Sequence, residues 1–353
     1  MKLSLGSALV GLAVAHASTV KYNAITGYFL QDDDSTDAST FDYTAENFGL
    51  INRTYPADKH SKHPLTQWER FYNQVSRLNE DSPKHVEYKV LFLGRHGEGW
   101  HNAAETYYGT PAWNCYWSEL DGNSTATWAD ASLTENGVSQ ALSANAFWQK
   151  EIDHQRIHTP DHYYVSPLTR TLQTANLTFT GLHLPKGSAK FKPTIKELFR
   201  EGISIHTCDH RRSRGYIHDL FPTWPIEKGF TEEDELWNGV MAETSGAQDI
   251  RSAKALGQVF FSASKKESFV SITSHSGEIS SILRVLGHRT FKLNTGAVIP
   301  VLVKAEKVDK DTTTTSVPWT AEPHCTEPPV SSVTACVCPS SAVPVTTPLA
   351  TGF

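Results

Sequence analysis

The sequence predicts an α/β fold, a three-layer α/β/α sandwich built on a mostly parallel central sheet, and three observations predict it. From residue 85 onward, short apolar runs that read as buried strands alternate with stretches of helical spacing. Several of these runs lead directly into polar segments, at Arg95-His96-Gly97, Ser166-Pro167 and Ser274-His275-Ser276-Gly277, and the last two of these open a helix. At 353 residues, with 39% hydrophobic and 20% charged, the chain can bury one large core with appendages.

Taken in order, the elements divide the chain into four parts. Residues 1–17 read as a signal peptide, with Lys2 as the positive start, an apolar run from Leu3 to Ala15, and Ala15-His16-Ala17 as a small-x-small cleavage site. That reading makes the protein secreted and extracellular, with the cell wall as one destination. Residues 18–84 form an N-terminal extension of irregular periodicity that packs on the main domain. Within it Asp32-Asp33-Asp34 and the pair His60 and His63 read as solvated loop. Pro64 to Leu78 has helical spacing, with Trp68, Phe71, Val75 and Leu78 on one face.

The main domain spans residues 85–305. Tyr88 to Leu93 is a buried strand, and Leu133 to Trp148 an amphipathic helix capped by Ser132 or Thr134. Tyr163 to Val165 is a second strand, followed by a helix through Leu177 with Pro167 near its start. Thr194 to Phe199 reads as a third strand and Phe269 to Thr273 as a fourth, leading into a helix to about Leu286. Ala297 to Lys304 is the last strand. Residues 306–353 are rich in Pro, Ser and Thr and read as a disordered tail that cannot bury enough apolar surface to fold alone.

Charge and cysteine content narrow the function classes. A net charge of −6, from 32 basic and 38 acidic residues, offers no overall attraction to nucleic acid or to an anionic membrane. Neither is expected as a partner, and any anion site must be a local concentration of positive groups. Asn52, Asn123 and Asn176 each head an acceptor tripeptide for N-linked sugar, Asn176 being the least suited because it falls in a helix. Five cysteines are an odd number for an exported chain. Cys115–Cys208 and a bridge from Cys325 to Cys336 or Cys338 is the expected pairing, leaving one thiol over. The sequence does not indicate an oligomeric state.

Four segments carry chemistry. In Arg95-His96-Gly97-Glu98-Gly99-Trp100-His101-Asn102, the glycines allow close backbone approach to a ligand and Arg95 can fork onto phosphate oxygens. The imidazole of His96 is a competent nucleophile towards phosphorus, and Asn102 can donate to the transferring group. Arg170 lies at the start of a helix, where backbone N–H groups already favour an anion. In Glu197-Leu198-Phe199-Arg200-Glu201-Gly202, either Glu197 or Glu201 could protonate a leaving alkoxide. His275 sits at another strand-to-helix junction and, charged, would stabilise a transition state. Three of the four lie just after a predicted strand, where open α/β sheets gather ligands.

Together these segments resemble the histidine phosphatase superfamily, of phosphoglycerate mutase-like fold, over roughly residues 85–305. The likeness is nearest to the branch holding cofactor-dependent phosphoglycerate mutase and broad-range phosphatases, in particular fungal phosphomutase-like proteins. The resemblance implies that His96 becomes phosphohistidine and that Arg95, Asn102, Arg170 and His275 hold the phosphate. It also implies that Glu201 donates a proton to the leaving group and then activates water. No cofactor and no metal are implied, and the partner is a small phosphorylated substrate. His206, Cys208, Asp209 and His210 crowd together, but not at a trusted zinc spacing.

The expected activity is phosphomonoester hydrolysis. A phosphoglycerate mutase-like phosphotransfer and a non-catalytic anion-binding protein stand as alternatives. Trp113, Trp117 and Trp224 are candidate walls for the substrate, and Arg211, Arg212 and Arg214 either line the entrance or form solvated surface.

Overall fold

The computed structural model describes residues 19–60, 63–262, 264–308, 317–329 and 336–339. The signal-peptide reading of residues 1–17 and much of the tail lie outside them. The chain enters through strand β1 (Thr19–Ala24) and reaches helix α1 (Gln67–Glu80). Thr66 starts α1 with a reciprocal cap, its hydroxyl accepting from the Glu69 N–H while the Glu69 carboxylate accepts from its own N–H. Strand β2 (Val86–Arg95) is followed by helices α2 (Trp100–Tyr108), α3 (Thr110–Cys115) and α4 (Glu135–Lys150). Thr134, of the two expected capping candidates, takes the Gly137 N–H at 3.1 Å.

Strand β3 (His162–Val165) leads to α5 (Thr169–Phe179), and β4 (Thr194–Ile195) to α6 (Arg214–Leu220). The expected strand through Phe199 stops at Ile195, and Glu197–Phe199 is a 3-10 turn. Then come β5 (Met241–Ala242), α7 (Ser245–Gly257), β6 (Phe269–Ser274), α8 (Ser276–Val285), β7 (Val298–Val308) and β8 (Thr320–Ala321).

The six-stranded sheet runs β1-β7-β2-β6-β3-β4. The pairs β2–β6, β6–β3 and β3–β4 are parallel, and β7 alone runs against its neighbours. Alternation along the strands builds two cores. Leu91, Leu93, Val270 and Ile272 face α7 and α8, packing on Leu256, Ile279 and Ile282. Val90, Phe92 and Phe269 face the other way, onto Trp68, Phe71 and Val75 of α1, Phe147 and Trp148 of α4, and Phe179 of α5. A helix layer therefore covers each face, the three-layer arrangement expected.

Several local expectations change. Strand β1 was not foreseen: it extends the sheet by pairing antiparallel with β7. Asp32 is no solvated loop residue, since it accepts from the Tyr28 and Phe29 N–H groups and pairs with His288 at 3.1 Å. The cysteine pairing differs as well. Cys115 bonds to Cys336 and Cys325 to Cys338, while Cys208 is a buried free thiol. Cys208 faces the packed side chains of Trp113 and Trp128, away from any partner sulfur, whereas the tail returns to Cys115.

That return is the main departure from the disordered tail expected after residue 306. Strand β8 pairs with β5, the Cys325 N–H donates to the Cys115 carbonyl at 2.7 Å, and His324 meets Glu119 at 2.7 Å, both nearly buried. Parallel-strand ends, the insertion between α2 and α4, and the segment 200–212 thus converge at one end of the sheet.

Candidate active site

The central pair of this end is His96 and His275. Arg95 is in register with Ser274 on the neighbouring parallel strand, so the next residue of each chain leaves the sheet side by side. The His96 N–H donates to the Ser274 carbonyl at 3.0 Å, and the two rings lie 5.1 Å apart. Both are buried, at 1% and 0% exposure. His96 Nδ1 lies 2.7 Å from the Gly97 carbonyl, which can only accept. The Nδ1 atom therefore carries the proton, and in the neutral ring Nε2 keeps its lone pair. Burial, then Arg170 and then Arg95, hold the His96 pKa well below the usual imidazole value. The positive neighbours act as the sequence suggests, but removal from water is the larger cause.

Backbone contact keeps the turn after His96 tight. A Cβ on Gly97 would sit 2.4 Å from the Gly137 carbonyl oxygen, and one on Gly137 would sit 2.0 Å from the Glu98 carbonyl oxygen. Neither glycine can carry a side chain without moving α4 or the turn. The Gly97 N–H donates to Thr174 of α5 at 3.0 Å, tying the turn to the helix that carries Arg170.

Arg170 is 1% exposed, the second residue of α5. Its Nη1 donates to the Cys208 carbonyl at 2.8 Å and its Nη2 lies 3.8 Å from the Asp209 carboxylate, leaving buried Nε without a partner. Arg95 is held at one end by the Leu293 carbonyl, 2.8 Å from Nη1, and its buried Nε is likewise unpaired. In His275, Nε2 is 2.8 Å from the Ser166 hydroxyl and Nδ1 is buried without a partner. Burial, then Arg170, hold His275 well below its usual pKa, which favours the neutral ring. Asn102 uses Oδ1 to accept the Gly99 N–H at 3.1 Å, capping α2 and leaving its amide N–H groups as the donors.

Of the two candidate acids, Glu197 is removed from the chemistry. It binds buried Arg200 and Arg211 at 2.8 Å each. Arg211, expected at an entrance or on the surface, is buried against Phe230 and donates to the Thr231 and Glu233 carbonyls. Glu201 instead reaches the start of α8, directly after His275, accepting from the Gly277 and Glu278 N–H groups at 3.2 and 3.0 Å. Its charge opposes the desolvation that lowers the Arg95 pKa, so it shares the site with the phosphate-binding candidates. A Cβ on Gly277 would stand 2.2 Å from Glu201 Oε1, so this close approach needs glycine.

His101 belongs to the same cluster although sequence reasoning gave it no role. Its ring lies 5.3 Å from His96, it is 8% exposed, and its buried Nδ1 has no partner. Burial, then Arg170, lower its pKa. The available signal was helical spacing, because His101 and Ala104 share the inward face of α2 while Trp100 points outward at 40% exposure.

Two other expectations shift. Trp224 is no wall of the site, since it packs with Val165, Leu172 and Ile195 behind β3 and β4. His206, Cys208 and Asp209 do bring ligand atoms within 4.8 Å of one another. However, Asp209 already accepts from Ser204 at 2.6 Å and faces the Arg170 guanidinium, a cation that competes with any metal. An open groove of about 1000 Å³ lined by Tyr72, Arg77, Arg156, His158 and Asp161 lies at the opposite end of the parallel strands, and contains none of the residues around His96.

The chain is similar in sequence to known proteins. Residues 117–295, half of the chain, match the histidine phosphatase superfamily (branch 1), a stretch that includes Arg170, Glu201 and His275. A protein of Arthroderma benhamiae named probable phosphoglycerate mutase is 48% identical, across 86% of this chain and 90% of its own. Phosphomutase-like protein 3 of Candida albicans is 36% identical over 89% of this chain and 90% of its own. Among solved structures, phosphoglycerate mutase from Bacillus anthracis aligns at 16% identity, covering 68% of this chain and 93% of that one, with a TM-score of 0.39. Identity of this extent with near full-length relatives, reaching across the His96 segment as well as the matched half, makes the chain a member of the histidine phosphatase superfamily, branch 1.

Proposed function

We propose that the protein is a secreted phosphatase that hydrolyses small phosphomonoesters through a phosphohistidine on His96. The observation that carries this reading is the set of unpaired buried polar atoms around that ring: Arg95 Nε, His101 Nδ1, Arg170 Nε and His275 Nδ1. Buried polar groups without partners are costly, and a phosphate dianion, with several acceptor oxygens, would satisfy donors of this kind together.

In the first step the lone pair of His96 Nε2 attacks phosphorus, and the ester P–O bond breaks. Glu201 gives its proton to the departing alkoxide. Arg95, Arg170, Asn102 and His275 hold the equatorial oxygens throughout. In the second step Glu201 takes a proton from water, whose oxygen attacks phosphorus. The N–P bond breaks, releasing orthophosphate and the neutral imidazole.

Transfer between positions of one substrate is the second reading, favoured by the mutase names of the relatives. Both readings use the same nucleophile and differ in the final acceptor. The test is release of phosphate from an aryl phosphate across pH by wild type and His96→Ala, with a chelator present. Turnover that survives chelation and vanishes in His96→Ala supports the hydrolase. Turnover only with a bisphosphorylated primer and a phosphoglycerate supports the mutase. Export is tested separately, by N-terminal sequencing of protein from culture medium, where a start at residue 18 is expected.

A further inference from the structure

Helix α5 carries Arg170 into the site, yet nothing local caps it. Its N-cap residue is Leu168, which has no side-chain acceptor for the free N–H groups of the first turn. The acceptor comes from 39 residues away. Asp130 Oδ1 takes the Thr169 N–H at 2.8 Å, and Oδ2 takes the Thr169 hydroxyl at 2.6 Å.

The cap is built into an unusual place. Asp130 closes the insertion between α3 and α4 with φ 41°, a left-handed conformation that a residue with a Cβ rarely adopts. Its N–H donates to the Thr207 carbonyl at 3.3 Å, joining the insertion to the segment whose Cys208 carbonyl and Asp209 carboxylate hold the Arg170 guanidinium. Asp130 is 5% exposed, and the charges facing it are Arg170 and, at 3.9 Å, Arg212. Burial pushes its pKa up to about 6 against the pull of Thr169 and these two arginines. A merely convenient turn would use glycine at this φ; the carboxylate here has two donors waiting on another element.

We propose that Asp130 is a positioning residue: by capping α5 from outside, it fixes the start of that helix and so sets Arg170 Nε toward the phosphate beside His96. This rests on the reading that Arg170 binds phosphate, and it adds the insertion of residues 116–134 to the parts that determine how well the anion is held. A negative group at the helix start also suits the helix dipole, so Asp130 stabilises α5 while leaving Arg170 free to meet the ligand.

Orthophosphate is the probe, because its binding requires no turnover. Its dissociation constant is measured by calorimetry for wild type, Asp130→Gly, Asp130→Asn and Thr169→Val, with thermal unfolding as the control for folding. Glycine accepts φ 41° without strain but removes the cap, and should weaken phosphate binding about tenfold, the effect of losing a cap of ordinary strength. Asparagine keeps an oxygen for the Thr169 N–H and should stay within about threefold of wild type. Thr169→Val, which loses only the hydroxyl bond, should fall between.

A folded Asp130→Gly that binds phosphate like wild type overturns the proposal, as does Asp130→Asn binding no better than Asp130→Gly. Should Asp130→Gly not fold, Thr169→Val decides: weaker binding supports the proposal and unchanged binding overturns it. Wild type that binds phosphate but hydrolyses no ester counts against the hydrolase reading alone, whereas wild type that binds no phosphate overturns both.

Discussion

His96 and His275 leave adjacent parallel strands at paired positions, and their rings stand 5.1 Å apart with Ser166 fixing the second of them. The sheet itself, rather than loop chemistry, sets the distance between nucleophile and second imidazole. Replacing His275 by Ala should therefore leave the fold and the position of His96 intact while lowering kcat by about 100-fold or more, the usual loss for one stabiliser of transition-state charge. Comparing kcat with phosphate affinity checks this, since the nucleophile remains.

Three imidazoles, His96, His101 and His275, are held neutral by burial and by Arg170. In the unfolded chain they take up protons near about pH 6.5, and in the fold they do not. The stability they contribute is full above that value and declines as pH falls below it. Phosphate reverses the balance by bringing negative charge among them. Calorimetry in two buffers of different ionisation enthalpy should show net proton uptake near pH 6, diminishing toward pH 8, when sulfate, a phosphate mimic that does not titrate in this range, is bound.

Gly277→Ala isolates Glu201. The added methyl would collide with Oε1, so the carboxyl must leave the start of α8. The expected result is a fall in kcat of about tenfold or more on substrates with poor leaving groups, with a smaller fall for activated aryl esters that need little protonation. Equal losses for both classes would show that the carboxyl does not act on the leaving group.

Glu151 gives a pH effect of opposite sign to the histidines. It is buried at the C-terminal end of α4 with Oε2 unpaired, and burial raises its pKa to about 7. A carboxyl raised in the fold contributes fully below its unfolded pKa and loses that contribution as pH climbs through about 7. Glu151→Gln should match wild type near pH 4 and exceed it by about 1–2 kcal/mol at pH 8, after discounting for partial solvent access. Chemical denaturation at the two pH values measures the difference.

What could be read from sequence was whatever is local in sequence. A buried strand running into Arg95-His96-Gly97 or Ser274-His275 states its own position at a sheet end, so the three layers and the meeting of these residues were legible. Strand β1 was not, because Thr19–Ala24 is short, mostly half-buried and recognisable only by the edge it joins. The choice between Glu197 and Glu201 turned on Arg200 and Arg211, whose burial depends on Asp234 and Phe230 from a later segment. Asp130 carried no signal at all, since its partner is a helix start that a sequence pattern does not tie to residue 130.

The Cys115–Cys336 bond joins residues separated by 221 positions. Its consequence concerns the order of synthesis. The correct partner sulfur leaves the ribosome 221 residues after Cys115 and the insertion around it. Throughout elongation Cys115 has Cys208 as its only company, and after that Cys325, whose sulfur ends 3.8 Å away in the finished protein. Oxidation begun too soon would thus trap a mispaired chain, and a chain cut before Cys336 would have no partner sulfur to fasten its insertion.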